Sequence, residues 1–195
     1  MSSYYYLMAQ LPVLIYDQKP PMSSFAFKEL ATGILNDKDA ELMKQLSLEP
    51  YTEDKGTVNF IEKKSLTGCE FIDKWWEWER TFRLNLAKNR AYHLKKENIL
   101  TYDLPVVPIE AANAALKAMA SDFSPMEAEV FIDKARWMAV CSLVGHDYFN
   151  RNNVFAYYLK LVLMERRVSF NTEKGFAEYK SLYSSILEKS EGELK

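Results

Sequence analysis

Three carboxylates, Glu79, Asp133 and Glu165, occupy positions where the sequence pattern asks for apolar residues. Carboxylates withdrawn from water can work as a general acid and base, because burial and neighbouring charge push their pKa values apart. Each sits in a stretch of helical periodicity, and a wheel turned by about 100° per residue shows its company. Between Phe71 and Leu94, the residues Phe71, Trp75, Trp78, Phe82 and Leu86 form an apolar stripe. Lys74, Glu77, Arg80, Lys88 and Lys95 gather on the solvent side, whereas Glu79, Arg83 and Arg90 fall beside Ile72, Trp76, Leu86 and Leu94. Asn85 and Asn89 lie one turn apart on the other flank. Between Met126 and Val144, Asp133 falls inside the stripe of Met126, Val130, Trp137, Val140 and Val144. Between Asn152 and Val168, Glu165 falls among Val154, Tyr158 and Leu161, Arg166 lies with Phe155 and Leu159, and Lys160 and Arg167 face outward.

An unpaired buried charge costs several kcal/mol, so such charges must meet partners. The signs allow it: Arg83, Arg90 and Arg166 against Glu79, Asp133 and Glu165. The pattern predicts a buried or half-buried ionic lattice joining the central helices, with Glu79 and Arg83 also an i,i+4 pair. Such a lattice has three uses. The simplest is register, one helix packing selected over others. A second is a partner-facing groove, since Trp, Tyr and Arg most often anchor interfaces. A third is catalysis by the carboxylates. That chemistry lacks its usual company, because neither His93 nor His146 has a recognisable ligand or nucleophile beside it. Phosphate loops, nucleophile elbows, HExxH and EF-hand signatures are also missing from the sequence. The expectation is therefore no catalytic, cofactor-binding or metal-binding residue, and Arg83→Ala should cost about 3–5 kcal/mol if its carboxylate partner is left buried.

The elements that would position these residues are mostly helical. Ser24 can cap a helix to about Leu35, and Asn36 a second bearing Leu42, Met43 and Leu46. Residues 49–59 read as a loop that could separate two helical lobes. A long helix follows from about Cys69 to Lys96, and residues 101–108 break the chain again. Pro108 suits the start of an Ala-rich helix to about Ala120. Ser124, Pro125 and Glu127 make a capping box opening a helix to about Val144. Another spans Asn152 to Val168, and Asn171 or Thr172 can cap a last one to about Leu187, with residues 188–195 a frayed tail. The expected fold is mainly α, a single domain of about seven helices preceded by a short apolar segment.

Composition narrows the function classes. Hydrophobic residues make up 48% and charged residues 27% of the 195, as in ordinary globular chains. A net charge of −2 argues against binding nucleic acid by bulk charge. The two cysteines, Cys69 and Cys141, show no metal spacing and no disulfide framework, which suits a reduced, cytoplasmic setting. The opening YYYLMAQLP has no basic residue before it, and its apolar run is far short of the roughly 20 residues that span a bilayer. It reads as a strand or helix tucked into the fold.

Three segments carry a resemblance: YYYLMAQLP at the start, ERTFRLNLAKNRA in the middle and VFAYYLKLVLMERRVSFNTEKG near the end. Together they resemble an uncharacterised bacterial family whose genes commonly sit among those of vacuolar/archaeal-type (V/A-type) rotary ATPases. More weakly, the chain is similar to the C subunit of that machine, called d in the vacuolar enzyme. That subunit is an all-helical funnel joining the central rotor shaft to the membrane ring, and it is much longer than this chain. The resemblance implies a non-catalytic coupling or assembly subunit, cytoplasmic and peripheral to the membrane, with the rotor shaft and membrane ring as partners. It implies no direct membrane insertion, and Asn85 and Arg90 echo an Asn/Arg pattern of the longer subunit.

Overall fold

Local signals start four of the described helices, at side chains that satisfy their first amides. The computed structural model describes residues 4–48, 67–95, 105–119, 123–170 and 172–192, and the loop expected at 49–59 lies outside them. Eight helices occur among the described residues: α1 (Tyr5–Ala9), α2 (Ser24–Thr32), α3 (Asp37–Lys44), α4 (Glu70–His93), α5 (Ile109–Ala118), α6 (Pro125–Leu143), α7 (Arg151–Ser169) and α8 (Thr172–Gly192). The fold is mainly α, and no described helix is long and apolar enough to cross a membrane.

Side-chain caps set the starts of α2, α3, α6 and α7. The Asn36 side chain accepts the Asp39 amide at 2.8 Å and opens α3. Ser124 accepts the Glu127 amide at 3.3 Å while the Glu127 carboxylate accepts the Ser124 amide at 2.8 Å, closing the capping box with Pro125 at the first position of α6. α6 stops before Gly145, whose φ of 78° is the left-handed conformation that only glycine adopts freely. Asn150 accepts the Asn153 amide at 3.1 Å and starts α7. Two expectations shift. The cap of α2 is Ser23, which accepts the Ala26 amide at 3.0 Å, and Ser24 becomes its first helical residue. α8 runs on to Gly192, through most of the stretch read as a frayed tail.

One continuous core draws on α1 to α7. α4 lies on α5 and α6, α6 on α5 and α7, and α2 on α7. The expected stripe of α4 is its buried face, with Trp75, Trp78 and Phe82 stacked in succession at centroid spacings of 5.9 and 5.3 Å. Ala111, Ala114, Ala115 and Ala118 line the buried side of α5, and their small side chains let its backbone approach its neighbours.

The opening tyrosines belong to this body. Tyr4 and Leu7 are buried, and the Tyr4 amide donates to the Phe149 carbonyl at 2.6 Å. The Tyr4 hydroxyl donates at 2.5 Å to Asp39, a carboxylate that also accepts from Asn36 at 3.1 Å and Arg151 at 3.3 Å. This buried node fastens the N-terminal segment to α3 and α7. Tyr4→Phe deletes the shortest of the three bonds to a charged acceptor and should cost about 1–2 kcal/mol. Urea denaturation would read this as a lower midpoint at unchanged m-value. An unmoved midpoint would show that the hydroxyl does not hold the segment.

Candidate functional site

Four of the charges that periodicity places inside α4, α6 and α7, namely Glu79, Arg83, Asp133 and Arg166, meet in one chain of alternating charge together with Arg136 and Glu129. Glu79 on α4 accepts from Arg83 Nε at 2.6 Å, one helical turn on, and from Arg136 Nε on α6 at 2.5 Å. Arg136 turns its Nη1 to Asp133 Oδ1 at 3.2 Å. The same oxygen accepts from Arg166 on α7, whose other nitrogen reaches Glu129 Oε2 at 2.7 Å. The order Arg83, Glu79, Arg136, Asp133, Arg166, Glu129 is neutral in sum and crosses three helices. Arg83 also donates to the Leu48 carbonyl, which ties the end of the α3 segment to α4. Arg136 lies over the Phe82 ring with its guanidinium carbon 5.6 Å from the centroid.

Burial grades along this chain. The Asp133 side chain is 1% exposed and Arg136 8%, whereas Arg83 is 22% and Arg166 32% exposed. Burial alone would raise the Glu79 pKa, but Arg136 and Arg83 together overcome it and hold the carboxyl below its ordinary value. Asp133 goes the other way: burial dominates, and the pull of Arg166 and Arg136 does not bring it back to its ordinary value. Its second oxygen, Oδ2, is buried without a hydrogen-bond partner. Burial would lower the Arg136 pKa, but Glu79 and Asp133 raise it, so the guanidinium stays charged.

The other singled-out residues stand apart from this chain. Glu165 is half-buried and faces the start of α2, where it accepts the Ser24 amide at 2.8 Å and the Ser24 hydroxyl at 2.5 Å. A carboxylate there meets unsatisfied amides and the positive end of the helix dipole, so it needs no arginine. Asn85 donates to the carbonyls of Thr81 at 2.8 Å and Pro105 at 2.9 Å, and the Thr81 hydroxyl donates to Val107 at 2.8 Å. These bonds pin residues 105–107 along α4. Arg90 is exposed and joins no ion pair among the described residues, contrary to its expected place in the lattice. It shares the face of Glu79, but the last buried residue of α4 is Leu86, so the cover ends before it. Arg167 is half-buried rather than outward, paired with Asp17 at 2.6 Å and lying over the Tyr16 ring. His93, His146 and Cys141 are exposed, and Cys69 is buried at the start of α4.

Residues 110–190 match the family described as "Protein of unknown function (DUF2764)". The match covers less than half of the chain; it takes in Asp133, Arg136, Glu165 and Arg166 and leaves out Glu79 and Arg83. No curated protein and no solved structure matches the chain.

Two outcomes test the energetics. Arg136→Ala would strip a partner from both Glu79 and Asp133 inside the fold and should cost about 3–5 kcal/mol. Arg83→Ala leaves Glu79 with Arg136, so its cost should be nearer 1–2 kcal/mol, and Arg90→Ala should stay within about 0.5 kcal/mol. Equal losses for Arg136→Ala and Arg83→Ala in denaturant unfolding would overturn this ranking.

Acid dependence supplies the second test. The depressed pKa of Glu79 means the unfolded state binds more protons just below 4.5, so this group's stabilisation is lost as pH falls through its folded pKa. The raised pKa of Asp133 means the folded state binds more protons just above 3.8, so stability falls as pH rises through its folded pKa. The Glu79→Gln and Asp133→Asn variants should therefore change the slope of stability against pH in opposite senses. Equal slopes in both variants and the parent would refute the assignment.

Proposed function

We propose that this chain is a non-catalytic coupling or assembly subunit of a bacterial V/A-type rotary ATPase, similar in role to the central-stalk C/d subunit. The machine-specific part of this reading rests on the resemblance of the N-terminal, α4 and α7 segments. The non-catalytic part is supported by one observation: the carboxylates available as acid or base are engaged in holding helices. Glu79 and Asp133 bind arginines across α4, α6 and α7, and Glu165 binds the first amide of α2. A coupling part must transmit force between a shaft and a ring without yielding, and charge pairs locked between helices resist sliding because each slip strips a buried charge of its partner on the other helix. In this reading the protein works on the cytoplasmic side, peripheral to the membrane, during proton or sodium transport by the complex.

The test is a tagged pull-down from gently solubilised native membranes, at low and high salt, with mass spectrometry of the eluate. Co-elution of ATPase shaft and ring subunits is the expected result. Recovery of the chain without any ATPase subunit at either salt concentration would end the stable-subunit reading.

A further inference from the structure

Among the residues whose burial is described, the core draws none from α8, and every residue from Gly175 to Leu187 is exposed. The helix is nevertheless strongly patterned. Phe176, Tyr179, Tyr183 and Ile186 recur at spacings of three, four and three, and Leu182 and Leu187 widen the stripe. Their exposure runs from 43% for Leu187 to 64% for Ile186. An unsupported helix is marginal in water, so a helix of 21 residues with this face calls for a cover.

We infer that the cover is α8 of a second copy, packed antiparallel through the apolar face about a twofold axis at the level of Ser181, midway between Tyr179 and Tyr183. Three observations favour that occupant. First, the size is right: the six apolar side chains expose on the order of 600–700 Å² together, near the roughly 800 Å² per partner of a standard stable interface. Second, the charge is right for self-association and wrong for an anionic lipid surface. Residues 172–192 carry three lysines and four glutamates, whereas helices that lie on membranes are rich in Lys and Arg. Third, the stripe is complementary to its own reverse. It is aromatic at Phe176 and Tyr179 and aliphatic at Ile186 and Leu187. Antiparallel pairing sets Phe176 against the partner's Ile186 and Tyr179 against the partner's Tyr183, so large residues meet smaller ones at the ends. Parallel pairing would stack Phe176 and both tyrosines on their own copies, leaving the layers overfilled at one end and thin at the other. A twofold interface of this kind closes on itself and leaves no free apolar edge.

The inference does not rest on the ATPase reading, because its test needs only the purified full chain. Sedimentation velocity from about 1 to about 100 µM spans the affinities expected of an interface near standard size. The parent chain should sediment as a dimer in that range. Tyr183→Glu and Ile186→Glu should each give monomer with the thermal midpoint of the body unchanged, since α8 lies outside its core. Ser181→Glu, on the polar side of the helix, should remain dimeric. In a Cys141→Ser background, the pair Phe176→Cys/Ile186→Cys should oxidise to a covalent dimer and Phe176→Cys alone should not. A parent chain that is monomeric throughout, or a dimer indifferent to both glutamates, overturns the self-association. Efficient cross-linking by Phe176→Cys alone overturns the antiparallel arrangement.

Discussion

The Arg136 guanidinium is where the three longest helices of the body are made to agree. It is held between Glu79 of α4 and Asp133 of its own helix, and Asp133 is held in turn by Arg166 of α7. Each of these groups would be strongly unfavourable alone at its depth, so their positions are not independent. Shift α4 by one turn along α6 and Glu79 leaves Arg136, so each buried charge keeps only the partner on its own helix, Arg83 and Asp133 respectively. Hydrophobic contacts between helices, such as Phe71 of α4 with Phe155 of α7, tolerate small slides, because one ring face resembles another. The charge chain therefore contributes what the aromatic stripe cannot, a single preferred offset between helices, even where apolar replacements could match its net stability.

A second node does the same for the beginning of the chain. Asp39 gathers Tyr4, Asn36 and Arg151 and joins α3 and α7 to the segment leading into α1. Arg151 opens α7 and Arg166 sits near its end, so this helix is anchored ionically at both ends with the apolar run of Val154 to Met164 between them. Glu165 adds a third anchor by receiving the start of α2. α7 is thus the post around which the N-terminal helices and the α4–α6 pair are arranged.

Much of this was legible from local sequence, and the illegible parts share a physical reason. Periodicity located the stripe of α4, and the Asn36 cap and the Ser124 box are complete within four residues. Asp133 and Glu79 were visible as charges in apolar faces. Arg136 was not, because it stands at the edge of its stripe, where a long side chain reads as solvated. Its stem lets the guanidinium reach inward, and only the position of Glu79, 57 residues away, shows that it does. Asp39 was hidden for the same reason: in the first turn of α3 it reads as an ordinary helix-start carboxylate. Its burial depends on Tyr4 and on Arg151, 35 and 112 residues distant. Arg90 is the converse error, since a wheel gives the face of a residue but not the length of the neighbour that covers it.

The division of labour between body and last helix follows from these constraints. The buried apolar residues of α1 to α7 form one core, and the charges that enter it are matched within it. Two residues separate the end of α7 from α8, which shows the same kind of apolar stripe yet adds none of its described residues to the core. A sequence that places apolar side chains so consistently on one face, with polar residues opposite, has the pattern of a buried helix. The second copy proposed as the cover of α8 would bury that face without disturbing the register that Arg136 and its partners set in the body.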